Sequence, residues 1–300
     1  MSKRRIFESN VNRFRVAGFL LLAAMLISGP AFAQITDFAG EWDNRTHEDE
    51  YDRNGSRQCP GPQCGGPAMG DYMGIALNDA GRMRADTADL ASWDVPEFQC
   101  RPHVVPYIWR AAGGARISKE IDPVSRELVA YHVNFVRSLD RIVYMDGRPH
   151  PPEYASHTWE GFSTGKWDGN TLVVTTTHHK EGYLRRNDVM YTDKAKITEY
   201  WTRHGDIFTM AGVIDDPIYL EEPWVFSISY ELNIHTELDY FPCTIVEGLN
   251  DSGEVPHALP GNHPYLTEWL PQFGIPLEAA RGYRETLYPD YQLKIKRSSN

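Results

Sequence analysis

The chain has 300 residues, with 30 Lys and Arg against 41 Asp and Glu, and a net charge of −11 with histidine neutral. Such an acidic balance argues against nucleic acid or an anionic lipid surface as partner, because both need a basic face.

Residues 1–33 read as a secretory signal peptide. Lys3, Arg4 and Arg5, then Arg13 and Arg15, precede a short apolar run over 16–29 and an Ala31-Phe32-Ala33 cleavage pattern. The apolar run is too short for a convincing membrane span. Arg4-Arg5-Ile6-Phe7 resembles the core of a twin-arginine signal, with Glu8 where an apolar residue is usual. Cleavage near Ala33 leaves 25 basic and 40 acidic side chains, a net −15 over residues 34–300. No later apolar run reaches membrane length. The expected product is therefore soluble, periplasmic or secreted, with no membrane insertion of the mature chain.

Residues 34–300 suit a single β-rich domain, with a Gly/Pro-rich loop over 54–70 and an irregular tail over 248–300. All four cysteines lie in this part, as an oxidising compartment favours. Cys59 and Cys64 bracket a short Pro/Gly loop, which suits a local disulfide, and Cys100 and Cys243 are placed to staple distant parts of the fold. Three pairings remain open from the sequence. Asn78 caps an expected helix over 78–93, with Ala80, Met83, Thr87 and Leu90 at helical spacing. A weaker helix is expected over 277–285.

Most of the remainder reads as strand. Segments 106–112, 115–121, 127–136, 141–145, 171–178, 196–204, 206–214 and 224–234 are rich in Val, Ile, Thr, Tyr, Phe and Trp. Short turns such as Asp146-Gly147, Asp168-Gly169-Asn170 and His204-Gly205-Asp206 join several of them, and such turns make antiparallel meanders. The expected fold is mainly β, an antiparallel up-and-down barrel with one or two short helices; the alternative is a β-sandwich. In segment 224–234, Phe226, Ile228, Tyr230, Leu232 and Ile234 share an apolar face. In segment 196–204, Ile197, Glu199, Trp201 and Arg203 oppose Thr198, Tyr200, Thr202 and His204.

Phe38-Ala39-Gly40-Glu41-Trp42 resembles the F-x-G-x-W opening of lipocalins and related calycin barrels, in which the tryptophan closes the barrel floor. The resemblance implies a lipocalin-like barrel. A broader resemblance runs over much of 37–247, carried by Cys100-RPHVVPYIWR, Ile117-SKEIDPVSRELVAYHV, the long stretch from Asp140 to Asn187 and Ile214-DDPIYLEEPW. These stretches look like an uncharacterised family of secreted proteobacterial proteins, a likeness that brings no activity with it.

Reactive groups are densest between 148 and 188: Arg148, His150, Glu153, His157, Glu160, His178, His179, Glu181, Arg185 and Arg186, interleaved with Trp159, Phe162, Trp167 and Tyr183. As metal ligands, His157, His178 or His179, and Glu181 offer imidazole and carboxylate. Adjacent strand residues point to opposite faces, however, and no H-E-x-x-H spacing is present, so no metal site and no cofactor is expected. As acid–base groups, His132, His157, His178, Glu181, Arg185 and Glu199 could gather at the barrel mouth, with His132, His178 and Glu199 turned inward and Arg185 holding a developing enolate or carboxylate. As ligand-binding walls, Trp109, Tyr131, Trp159, Trp201 and Tyr230 offer flat apolar faces with polar tips. Nucleophile elbows, dinucleotide loops and phosphate loops are missing. Ser163 reads as a strand serine, and Asp215-Asp216-Pro217 as turn chemistry.

Two functions follow as expectations. The first is an exported barrel that binds a small, largely apolar or amphipathic molecule. The alternative is a periplasmic isomerase- or lyase-type enzyme using the His/Glu/Arg cluster. The partner in either case is a small molecule, and oligomeric state is not legible.

Overall fold

A computed structural model of the chain describes residues 36–45, 68–89, 91–92, 95–110, 114–135, 138–185, 187–234, 238, 243–246, 255–263 and 265–291. The expected signal peptide over 1–33, Cys59, Cys64, Arg186, Leu90, most of loop 54–70 and part of the tail lie outside these residues. The described residues from Phe38 onward form one compact unit.

Nine strands close into a barrel. In chain order they are β1 (Gly40–Asn44), β2 (Ala115–Ile121), β3 (Leu128–Phe135), β4 (Arg141–Tyr144), β5 (Phe162–Asp168), β6 (Thr171–Thr177), β9 (Lys196–His204), β10 (Ile207–Asp215) and β11 (Trp224–Leu232). Around the barrel the order is β1-β11-β10-β9-β6-β5-β4-β3-β2. Between β6 and β9 the chain leaves the barrel to form a separate hairpin, β7 (Gly182–Arg185) with β8 (Val189–Tyr191).

The expected barrel is thus present, and its sheet is antiparallel everywhere but at one seam. β4 and β5 run parallel, with Val143 opposite Ser163 and Tyr144 opposite Thr164. A parallel pair cannot be joined by a tight turn, so residues 145–161 must cross from one end of the barrel to the other.

Side-chain alternation sets what lies inside. In β11, Trp224, Phe226, Ile228 and Tyr230 are buried, while Val225 is 63% exposed. In β9, Ile197, Glu199 and Trp201 are buried and Tyr200 faces outward. The interior carries a ring cluster: Trp109 lies 4.8 Å from Phe135, 5.5 Å from Trp201, 5.8 Å from Phe208 and 5.6 Å from Tyr230, centroid to centroid. Trp42 is fully buried, its Nε1 donates to the Phe38 carbonyl at 2.8 Å, and the Arg203 guanidinium lies 5.0 Å from its ring.

Several sequence expectations are corrected. Segment 106–112 is not a strand in its described residues, 106–110: these hold a short helix, α3 (Tyr107–Arg110), preceded in the chain by α1 (Asp79–Asp86) and α2 (Pro96–Gln99). Ile108 and Trp109 are both buried, and a short apolar run buried on several sides carries no period that separates helix from strand. Helix α1 begins where expected, with Asn78 Oδ1 accepting from the Gly81 amide at 2.9 Å, but it stops at Asp86 and presents a different face. Gly81, Arg82 and Ala85 are buried, whereas Ala80 is exposed and Met83 is 57% exposed. Arg82 is drawn in because it donates to the Leu77 carbonyl and lies 4.3 Å over the Tyr283 ring, which a hydropathy stripe does not register.

A layer of irregular chain covers one side of the barrel. Tyr72 N bonds Ala280 O, Asn78 N bonds Tyr219 O, and Leu77 pairs with Leu220. The described tail adds two short helices, α4 (Leu270–Phe273) and α5 (Leu277–Ala280), and Trp269 Nε1 donates to the Met69 carbonyl at 3.0 Å. Cys100 and Cys243 are disulfide-bonded, with Cα atoms 5.7 Å apart.

Candidate functional site

The crossing connection 145–161 and its surroundings explain the four histidines between 148 and 188. His150 bridges Thr177 Oγ1 at 2.7 Å and Thr164 Oγ1 at 2.8 Å, and burial pushes its pKa down. His178 donates through Nε2 to the Pro152 carbonyl at 3.0 Å and adopts φ +57°. His157 donates through Nδ1 to the His179 carbonyl at 2.9 Å. His179 is fully buried, donates through Nε2 to the Ala195 carbonyl at 2.7 Å, and its pKa is lowered by that burial. His150, His157 and His178 therefore tie the crossing segment to β5, β6 and the residues after β6, and His179 ties those residues to the approach to β9.

The six expected acid–base residues do not converge. His132 lies on the outer face of β3, between Asp140 at 2.7 Å and Glu120 at 3.3 Å, and the Asp140 hydrogen bond raises its pKa. It is on the opposite face from buried Tyr131 and Val133, so it does not turn inward. His178 likewise turns to the crossing loop. Glu181 pairs with Arg84 of α1, Oε1 to Nε 3.2 Å. Glu199 does point inward, where both carboxylate oxygens are occupied by Arg141, Trp109 and Trp201. Among the described residues, no three His, Cys, Asp or Glu side chains gather as a metal-binding group.

Four of the five expected ligand walls, Trp109, Tyr131, Trp201 and Tyr230, belong to the packed interior. Strand alternation put Tyr230 on an apolar face and Trp201 on the side of Ile197 and Glu199, and could not tell a filled barrel from a hollow one. Trp159 lies outside the barrel, with Lys180 Nζ 4.8 Å and the Arg101 guanidinium 5.7 Å from its ring. Ser163 is a buried strand serine bonded to Thr176 Oγ1 at 2.8 Å. Asp216 is turn chemistry, accepting from Thr192 N at 2.6 Å and Ile218 N at 2.9 Å.

A cavity of about 390 Å³ lies beside the first half of β11. Its lining combines Trp224 and Phe226 with Val225, Ser227 and Ala211, and adds two guanidiniums, Arg110 from the end of α3 and Arg185 from the end of β7. The Trp224 and Phe226 rings stack with centroids 5.1 Å apart and planes at 20°. Arg110 lies 5.5 Å over the Trp224 ring. Gly212 on β10 makes room for this stack, since a methyl group there would sit 2.3 Å from the Phe226 ring.

Arg185 is the unusual member. It is half-buried, and its Nε meets no hydrogen-bond acceptor among the described residues. The charge acting favourably on it is Asp71, at a distance, and burial works against its ionised form. A guanidinium stays protonated in a protein, so the burial shows as an energetic cost and not as a lost proton.

Arg185 alone of the cavity residues was expected at a site. Arg110, Trp224 and Phe226 were missed, although the shared apolar face of Phe226 with Ile228 and Tyr230 was legible. Arg110 reaches the cavity because residues 107–110 form a helical turn, which the sequence did not signal. Comparison with family models, curated proteins and solved structures finds no match to this chain.

Proposed function

We propose that this is an exported protein that binds a small amphipathic molecule carrying an anionic group, held in the cavity beside β11. The observation that carries the reading is Arg185: a half-buried cation without a hydrogen-bond partner at Nε, bordering a space walled by stacked Trp224 and Phe226. A carboxylate or sulfonate would supply the missing acceptors, and charge-assisted bonds to a guanidinium fork are among the strongest polar contacts available. The flat apolar body of such a ligand would lie against the two rings. The alternative, an isomerase- or lyase-type acid–base enzyme, has less support, because its expected groups are spread over the outer face of β3, the crossing loop and the barrel interior. The export reading rests on residues 1–33; the Cys100–Cys243 disulfide is compatible with it.

The test is a titration of the purified protein with 2-naphthoate, followed by tryptophan fluorescence and calorimetry. Saturable binding is expected, weakened about tenfold or more by Arg185→Gln, as loss of hydrogen bonds to a charged group implies. Absence of saturation, or an affinity unchanged in Arg185→Gln and Arg110→Gln, would overturn the proposal.

A further inference from the structure

A second feature, independent of the anion site, lies at the turn between β7 and β8. Asp188 adopts φ +61° and is only 7% exposed. Its Oδ1 is covered by protein and receives no hydrogen bond, and no described residue donates to the carboxylate. A buried acceptor left unmet in this way is rare and costly. The left-handed backbone adds to that cost, since a non-glycine residue there needs support from its surroundings.

The groups that face Asp188 come from every side of the turn. Arg84 acts on it electrostatically from α1, Glu181 from just before β7, Tyr183 from β7, Arg101 from the segment after α2, and Tyr72 from the irregular layer. Arg84 is already paired with Glu181 at 3.2 Å. Arg101 lays its guanidinium on Phe98, 3.5 Å from the ring, and acts on Asp188 at a distance. Burial outweighs both cations and holds the carboxyl up to about 6. Beside it, Tyr183 and Tyr107 place their rings 6.0 Å apart, edge to face, with His103 a further 5.2 Å from Tyr107.

We propose that Asp188 anchors a second ligand site, one that takes the primary ammonium group of a small molecule whose body lies against Tyr183 and Tyr107. An ammonium brings both the missing charge and three hydrogen-bond donors, whereas an alcohol brings one donor and no charge. The chain's net −11 draws cations toward it. Aromatic faces elsewhere in this protein already hold cations, as Trp159 does Lys180 Nζ at 4.8 Å from its ring.

The probe is benzylamine, titrated calorimetrically into the full protein at pH 5 and pH 7, with benzyl alcohol as the neutral counterpart. Because only ionised Asp188 binds the ammonium, the apparent affinity should rise about tenfold between those pH values. Asp188→Asn should abolish binding while leaving the protein folded, since asparagine enters the left-handed region readily. Naphthoate binding should be unchanged in that variant, which separates this site from the anion site. The inference falls if benzylamine does not saturate at pH 7, if Asp188→Asn binds it as well as the parent, or if benzyl alcohol binds equally tightly. A benzylamine affinity that is flat from pH 5 to pH 7 in the unaltered protein would also overturn it.

Discussion

Arg141 and Glu199 meet inside the barrel through two parallel hydrogen bonds, Nη1 to Oε1 at 3.1 Å and Nη2 to Oε2 at 2.8 Å, with both side chains at most 1% exposed. The rest of each group is also satisfied. Trp109 Nε1 donates to Oε1 at 2.7 Å and Trp201 Nε1 to Oε2 at 3.3 Å. Arg141 in turn donates to Ser163 Oγ at 3.3 Å and Thr176 Oγ1 at 2.9 Å. The pair thereby ties β4 to β9, two strands not adjacent in the barrel, and fixes Trp109 of α3 between them. Removing one partner leaves a buried charge with its hydrogen bonds unmet. Glu199→Leu and Arg141→Leu should each cost about 3–5 kcal/mol, while the double variant should cost less than the sum of the two. Urea unfolding of the three variants checks this; additive losses would contradict it.

Glu160, next to this network, sets a pH dependence. It is 8% exposed, accepts from the Leu139 amide at 3.1 Å, and burial pushes its pKa up to about 7 from an ordinary 4.5. A carboxyl whose folded pKa is raised binds its proton more tightly in the folded state. Its stabilising contribution is therefore full below about pH 4.5 and is lost as pH climbs through about 7. The shift corresponds to roughly 3 kcal/mol across that window. Glu160→Gln, which keeps an acceptor for Leu139, should match the parent near pH 4.5 and exceed it in stability at pH 8. Unfolding free energies measured over that range decide the matter, and a variant less stable at pH 8 would refute the assignment.

The barrel was legible in the sequence because its strands alternate cleanly and its turns are short. Trp224, Phe226, Ile228 and Tyr230 sit on one face as their spacing demands. The parallel seam was not legible, since the long connection 145–161 carries its ends together through His150, His157 and His178, whose partners are hydroxyls and carbonyls distant in sequence. His157 and His178 looked catalytic for a related reason: a dense run of titratable side chains has one appearance whether it binds substrate or fastens a loop. Arg185 was singled out as a group to hold a developing enolate or carboxylate, and it lines the cavity beside β11. Its companions Arg110 and Trp224 come from a helical turn and a strand start that meet only in three dimensions.

The disulfide closes a loop with a sequence separation of 143 between Cys100 and Cys243. Beside it, the Gln99 side chain bonds Val246 reciprocally, Nε2 to O at 2.7 Å and N to Oε1 at 2.8 Å. A long closed loop restricts the unfolded chain most, so Cys100→Ser/Cys243→Ser should lower stability by about 2–5 kcal/mol. Gln99→Ala in the intact protein should cost no more than about 2 kcal/mol, because the disulfide still holds the segment in place. Denaturant midpoints with and without reductant test both statements; a loss on reduction no larger than that of Gln99→Ala would show that the crosslink restrains little.

Gly212 offers a test of the anion site that leaves its cations untouched. A methyl group at this position would lie 2.3 Å from the Phe226 ring, closer than real contacts allow, so the ring must move. Phe226 stacks on Trp224 along the cavity, and its displacement reshapes the wall against which a flat ligand would lie. Gly212→Ala should therefore weaken 2-naphthoate binding about tenfold while Arg110 and Arg185 remain in place, at a stability cost of about 1–3 kcal/mol from overpacking. Calorimetry on this variant beside Arg185→Gln separates the two contributions, the ring wall and the cation. An affinity that Gly212→Ala leaves unchanged would place the ligand away from Phe226 and remove the aromatic half of the binding model.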